Sequence, residues 1–438
     1  MTQLATQSAG FSALFERLDS SSPIHDMRRR AFEKFESLGM PTLRDEAWRY
    51  TSIKAITEAT FTAPNTADVT SDEIDAFDFD DVESHRLVFV NGRYAPGLSS
   101  IDVPEGVTVQ SLADAILSMP DELEPHLGSL SLPQDQAFIA LNTAMIDDGV
   151  VVQVSANVVH EKPIHVVFVT RASGASIVTS PRVLIVAERN AQATVIEQHI
   201  GIDDGVRLTN TVTEIIAGEN AHIEYLRVQR ENEATFHTSG LLVKAAQDST
   251  VTCNCSHWGG ALVRNEIHAV MEGSNCDVTF NGLTATRGRQ HADNNLRIDH
   301  MKPHCRSWQY YKSILDDDSK SIFTGRIFVE EDAQKTDAKQ TNMSLLLSPR
   351  AHVTAKPQLE IFADDVKCTH GATIGEIEPS QLFYLQARGI KAEAARSLLT
   401  FAFANEVLQE IPIDGVRVAL ERLLLSRLPD GDAIRGEL

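Results

Sequence analysis

The chain has 438 residues, 42 % of them hydrophobic, enough to bury a substantial core in two or three domains and too apolar for a disordered protein. Its formal net charge is −22, from 61 acidic against 39 basic residues. A nucleic-acid binder needs clustered Lys and Arg to displace counterions from phosphates, and a peripheral membrane protein needs them to face an anionic surface, so this balance argues against both partners.

The first twenty residues, MTQLATQSAGFSALFERLDS, lack a basic stretch followed by an apolar core, and no apolar run is long enough to span a bilayer. Neither a signal peptide nor a transmembrane helix is expected. The five cysteines, Cys253, Cys255, Cys276, Cys305 and Cys368, are an odd number. They read as reduced thiols in a cytoplasm rather than as a disulfide framework.

In chain order, FSALFERL and MRRRAFEKFESLG carry apolar residues at helical spacing, with Gly39 and Pro41 as a stop. Residues 62–84 are acidic and without sustained period, and read as a linker closing an N-terminal helical region, 1–83. RLVFVNGRYAPGL predicts a β-hairpin around Asn91-Gly92, opening a mixed α/β lead-in over 84–150.

From about 151 to 376 short alternating runs follow one another, as in VVVQV, IHVVFVT, RVLIVAE and GLLVKA. ERNAQATVI, GENAHIEYL, AQDSTVTCN and GSNCDVTFN align on Asn190, Asn220, Asp248 and Asn275, at steps of 30, 28 and 27 residues. Three and five residues beyond each turn residue stand Ala193 and Val195, Ile223 and Tyr225, Val251 and Cys253, Val278 and Phe280. KPHCRSWQ, EEDAQKTDA and SPRAHVTAK continue the series less regularly. Apolar positions in register at this period signal stacked coils, each long enough for two strands and two turns. The fold class is therefore mainly β, a parallel β-helix-like core of stacked coils flanked by helical N- and C-terminal regions.

The C-terminal region, 377–438, reads as three helices. Pro379 suits a first turn before SQLFYLQARG, which Gly389 ends, and KAEAARSLLTFAFANEVLQEI, stopped by Pro412, and GVRVALERLLLSRL follow. A solenoid end needs a cover, so capping is the simple role for these helices and partner docking the sharper one.

Among residues that carry chemistry, Cys253, Cys255 and His257 in CNCSH share one strand face and resemble a metal site. The repeat register, however, puts Cys253 where the other units hold Val195, Tyr225 and Phe280, a core position that suits a thiol as a small hydrophobe. Cys276 occupies the slot of Ala191, Ala221 and Ser249 and reads as structural, and nothing assigns Cys305 a role. Asp316–Asp318 lacks the spacing of an EF-hand loop and reads as a solvated turn. The Walker loop, the Gly-x-Ser-x-Gly elbow and the His-Glu-x-x-His helix are all missing, so the chain advertises no self-contained catalytic apparatus.

Cys368 and His370, in DDVKCTHGAT, stand two apart and on a strand would leave the same face. A thiolate and an imidazole there suit a soft or borderline metal, and a buried thiol beside a structural histidine fits the spacing as well. Two ligands are incomplete for zinc or for a cluster, so a metal site would draw its remaining donors from a partner chain or from solvent. The alternation breaks at Asp364-Asp365, which marks a bulge or the end of the stack, an edge where another sheet can add.

The stretch ADDVKCTHGATIGEIEPSQLFYLQARGIKAEAARSLLTFAF, residues 363–403, resembles the C-terminal signature of the SufD family, a component of the SUF iron–sulfur cluster assembly system. PTLRDEAWRYTSI, ALNTAMIDDGVVVQV and AQKTDAKQTNMSLLLSPRAHVTAKPQLEI fit the same family, so the resemblance spans most of the chain. SufB is the related family, and the Lys-Cys-x-His-Gly-Ala-Thr form points to SufD. The resemblance implies a parallel β-helix between helical regions, pairing with SufB through the β-helices, and binding of the ATPase SufC through C-terminal helices. It implies a non-catalytic scaffold, with ATP hydrolysis left to SufC and a transient iron–sulfur cluster formed at the SufB–SufD interface. His370 is the implied iron ligand and Cys368 its neighbour, with a role as ligand left open. A reduced flavin in the complex is a further implication for electron supply, although no flavin motif is visible. Two rival readings stand beside this one: a β-helix hydrolase or lyase acting on polysaccharide, which the missing export signal disfavours, and a homodimeric scaffold acting with SufC but without SufB.

Overall fold

The computed structural model describes residues 10–79, 81–130 and 136–431. The alternating runs wind into a β-solenoid of about 8 turns, in which each coil contributes one strand to each of two sheets. The first sheet runs from the hairpin strands Arg93–Tyr94 and His85–Val90, through Ile164–Thr170, Gln192–Gly201, His222–Arg230, Thr250–His257, Asp277–Thr286, Arg306–Leu315 and Asp337–Leu346, to Lys367–Gly375 at its far edge. The second runs from Val107–Ser111 to His352–Ile361. Successive coils pair in parallel, and among the described residues antiparallel pairing is found in the hairpin, in Val107–Ser111 against Gly149–Val154 and in the Arg86–Ser100 bridge.

The turn residues explain the repeat. Asn190, Asn220, Asp248 and Asn275 have φ of 61°, 53°, 58° and 58°, a left-handed conformation that Asn and Asp tolerate because their short side chains bond locally. Asn157, His304 and Lys335 adopt the same conformation and extend the series at both ends. SPRAHVTAK does not belong to it. This segment makes the opposite corner and leads into His352–Ile361 of the second sheet. The alignment joined two different corners of one coil because both pair a turn with a following strand.

Inward positions of the coils form the main core, with Ala193, Val195, Ile223, Tyr225, Val251, Cys253, Val278 and Phe280 all buried in one cluster. The outer faces are apolar as well, and the terminal regions cover them. Helix α1 (His25–Leu38), stopped by Gly39 as its pattern predicts, and helix α2 (Ala137–Ala144) join Trp48 in a cluster with Leu208 and Leu262 of the second sheet. The acidic stretch expected to be a linker is instead packed: Ile74 and Phe79 are buried, and Arg86 meets Asp75 and Asp78 at 3.1 Å. Its few apolar residues are too sparse to show a period, yet each finds the solenoid wall.

Three C-terminal helices form where predicted: α3 (Pro379–Gln386), α4 (Ala392–Leu408) and α5 (Asp414–Ser426). They do not cap the stack. Phe401, Val407, Leu408, Val416, Leu420 and Leu424 pack on Leu226, Val228, Trp258 and Leu283 of the outer face of the first sheet. Apolar outward positions in the middle coils give these helices the surface they bury.

Candidate functional site

Asp364 and Asp365 form the turn that delivers the last strand. The Lys335 N–H donates to the Asp365 carbonyl at 2.7 Å, the Asp365 N–H donates to Gln334 Oε1 at 2.9 Å, and the Lys335 ammonium pairs with the Asp365 carboxylate. The break in alternation is therefore a coil corner, and one more strand follows it. Among the described residues that strand, Lys367–Gly375, pairs only with Asp337–Leu346, and its other side is bare. His352–Ile361 ends the second sheet in the same way. Both edges present unpaired backbone groups that another strand can satisfy.

The register fixes where the two candidate residues point. Cys368 pairs with Ala338 and continues the inward column of Val251, Val278 and Ser307. His370 pairs with Gln340 and continues the column of Cys253, Phe280 and Gln309. Both side chains thus face the lumen, on one side of the strand, where the lumen opens to solvent. Cys368 is half-buried against the small cluster of Ala338, Leu359 and Val366, and this burial pushes its thiol above the usual value, which favours the protonated form at neutral pH. His370 is exposed. Among the described residues no three His, Cys, Asp or Glu side chains come together to hold a metal ion. A metal or cluster seated on His370 would accordingly need donors from outside this chain.

The remaining sequence candidates lie elsewhere. Cys253 is fully buried in the core, as its register predicts, and Cys255 and His257 follow it along the lumen. His257 contacts the Asn265 amide through Nε2 at 3.0 Å, and burial drives the imidazole well towards its neutral form. Cys276 and Cys305 are stacked in the corner column, each thiol 3.2 Å from the Gly273 carbonyl. Asp317, at φ 53°, and Asp318, paired with Arg350 at 2.6 Å, make an exposed turn.

Sequence reasoning missed the polar character of the lumen. Glu197 is fully buried and accepts hydrogen bonds from Thr213 Oγ1 at 2.6 Å and Tyr225 Oη at 2.7 Å, with Arg227 Nε 3.3 Å away. Burial alone would raise its pKa, but the Arg227 guanidinium and these hydrogen bonds hold it well below the usual carboxylate range. Nearer the open end, Gln309, Tyr311, Gln340, Asn342 and Ser344 are buried, and each has a polar side-chain atom with no partner. The signal was available: in RSWQYYKS and DAKQTNMS the inward positions are Ser, Gln, Tyr, Ala or Asn, where the same columns of the two preceding coils include Val251, Cys253, Val278 and Phe280. The exposed apolar side chains Phe362 and Ile374 lie at this same end, and Phe383 and Tyr384 are exposed on α3, which follows the last strand and buries no residue.

Comparison with known proteins agrees with the architecture. The SufBD core domain of the SUF iron–sulfur cluster assembly system matches residues 168–403, and the SufBD protein N-terminal region matches residues 12–166. An iron–sulfur cluster assembly SufBD family protein of Synechocystis is 33 % identical over 409 residues, covering 91 % of this chain and 90 % of the relative. The iron–sulfur cluster assembly protein SufD of Escherichia coli is 31 % identical over 396 residues, 90 % of each chain, and SufD of Bacillus subtilis is 26 % identical over 430 residues, 96 % of this chain and 97 % of the relative. A solenoid built on these repeats, matched along nearly its whole length, means that this chain belongs to the SufBD family of iron–sulfur cluster assembly proteins.

Proposed function

We propose that this chain is the scaffold subunit of a SUF assembly complex that pairs with a SufB partner at the open end of its solenoid and binds the ATPase SufC through its C-terminal helices. In this reading the nascent cluster is cargo formed between the two scaffolds, and His370 supplies one of its ligands. The observation that carries it is the placement of an exposed imidazole on a bare parallel edge, with Cys368 on the same face and, among the described residues, no group of three donors. A partner strand added to Lys367–Gly375 would satisfy the edge and bring its own ligands to the lumen mouth. Helix α3, with Phe383 71 % exposed, offers apolar surface to a further partner immediately after that edge. A neutral imidazole binds iron and raises a cluster's potential relative to an all-thiolate set, and a mixed, shared ligand set is held less firmly, which suits cargo that must be handed on. Cys368 takes the secondary role here, since its thiol is turned into an apolar cluster and kept protonated by burial. ATP-driven motion of SufC would open the shared edge.

The test is reconstitution with the cognate SufB and SufC, comparing wild type with His370→Ala. Gel filtration reports assembly, and iron, sulfide and visible absorption report the cluster. The expected result is an intact complex that has lost its cluster. A cluster unchanged in His370→Ala refutes the ligand role, and a complex that forms with SufC and a second copy of this chain, excluding SufB, refutes the heteromeric pairing.

A further inference from the structure

Amide ladders at the Asn corners and on the first sheet share a direction, opposite to that of Asn265 on the second sheet, whose Nδ2 donates forward to Asn294 Oδ1 at 2.8 Å. Asn190 Nδ2 donates to Asn157 Oδ1 at 2.7 Å, Asn220 Nδ2 to Asn190 Oδ1 at 2.9 Å and Asn275 Nδ2 to Asp248 Oδ1 at 2.8 Å along the corner column. On the first sheet Asn281 Nδ2 donates to Asn254 Oδ1 at 3.0 Å and Gln340 Nε2 to Gln309 Oε1 at 2.8 Å. In each pair the N–H points back to the preceding coil. With its N–H used on the preceding coil, such an amide has its oxygen available to the following one, as Asn190 Oδ1 accepts from Asn220 Nδ2.

For Gln340 the following coil is the last, and the residue in register is His370. Gln340 is 1 % exposed, and its Oε1 is buried without a partner. The amide is held in place on its other sides: its Nε2 is used by Gln309, and it lies across Gly325, where a Cβ would sit 2.1 Å from Nε2. A buried amide oxygen left unpaired costs free energy, and a donor one coil away in the same column relieves it. His370 is the one residue of the last coil at that register position, and its exposed side chain can change rotamer freely.

We infer that Gln340 is a positioning residue for His370: its Oε1 accepts the N–H of one imidazole nitrogen, which fixes the tautomer and aims the other nitrogen out of the lumen mouth. This rests on the reading of His370 as a cluster ligand. A histidine that ligates a metal commonly donates its second N–H to such an oxygen, and loss of that bond weakens metal binding about 10- to 100-fold. The role of Cys368, two residues away and turned into its apolar cluster, is unaffected.

The test uses the full chain labelled with [15N]histidine, with the His370 signals assigned from a His370→Ala sample. A typical net hydrogen bond populates the bonded state about five-fold over the open one, so exchange of the imidazole N–H with water should be slowed about five-fold in wild type relative to Gln340→Met. Gln340→Glu retains an acceptor and should preserve the slowing. In the complex assembled with the cognate SufB and SufC, Gln340→Met should lower iron retention at least about ten-fold with assembly intact, and Gln340→Glu should restore it. Equal exchange rates in wild type and Gln340→Met overturn the inference. So does unchanged iron retention in Gln340→Met when His370→Ala loses the cluster. Should Gln340→Met fail to fold, a wild-type N–H that exchanges as fast as free histidine overturns it, and a slowed one supports it. Failure of the parent reading looks different, because His370→Ala then keeps its cluster while the exchange contrast persists.

Discussion

Replacing Glu197 with Gln keeps the shape of a lumenal side chain and removes its charge. Glu197 and Arg227 are 0 % and 1 % exposed, so the substitution leaves a guanidinium deep in the solenoid without its carboxylate, among neutral groups such as Tyr225 Oη, at 2.9 Å, and Thr213 Oγ1, at 2.9 Å. Breaking one side of a buried pair costs about 3–5 kcal/mol, because the surviving charge stays desolvated. For a chain of 438 residues unfolding as one unit, the entropy of unfolding is roughly 0.9 kcal/mol per kelvin, so the melting temperature should fall by about 3–5 °C. Stacked coils hold one another by neighbour contacts, so hydrogen exchange in Gln192–Gly201 and His222–Arg230 should rise before that of distant coils. Differential scanning calorimetry and exchange mass spectrometry measure both effects. Adding Arg227→Met removes the stranded charge and should recover at least half of the loss, since buried pairs replaced by apolar groups are often neutral. A single variant within about 1 °C of wild type, or a double variant no better than the single, refutes the reasoning.

Other expectations follow from particular contacts. Burial lowers the pKa of His165 from 6.5 to about 4, so the folded state favours the neutral imidazole; its contribution, on the order of 3 kcal/mol, is complete above pH 6.5 and lost as pH falls towards 4. His165→Gln should therefore flatten the melting temperature against pH in that window. Glu231 is fully buried, which by itself raises its pKa, but His237 and Thr209 hold it down at about 2; its stabilisation is present above pH 4.5 and disappears between there and pH 2, and Glu231→Gln should remove that limb of the acid titration. Phe401→Ala should loosen α4 by about 3–5 kcal/mol, read as faster proteolysis near residue 401 with the strand circular dichroism intact. Asn220→Val should cost about 1–2 kcal/mol from its φ of 53° alone, whereas Asn220→Gly should cost less, as urea unfolding would show. Ile374→Lys, at a side chain 47 % exposed on the bare edge, should leave the melting temperature of the isolated chain unchanged while weakening assembly with SufB in gel filtration.

Much of the solenoid is written locally. Asn190, Asn220, Asp248 and Asn275 announce left-handed corners, and the apolar residues three and five places on announce which face turns inward, because a strand's period of two and a corner's demand for positive φ are properties of a few adjacent residues. The same period put Cys253 in the core and Cys368 and His370 on one face. Where the helices would lie was not legible. Docking of α4 and α5 on Leu226, Val228 and Leu283 depends on an outer apolar stripe assembled from coils about 30 residues apart, which no single window displays. For the same reason the acidic stretch before His85 looked free, although Ile74 and Phe79 anchor it to the solenoid. The neighbourhood of His370 is also a tertiary fact. Stacking of coils, rather than sequence distance, places it over Gln340 and leaves the strand that carries it unpaired on its far side. Sequence determined the coil, its inward residues and the family signature, whereas only the stacked structure decided which polar groups meet in the lumen and which end stays open, since both follow from contacts between residues some 30 positions apart.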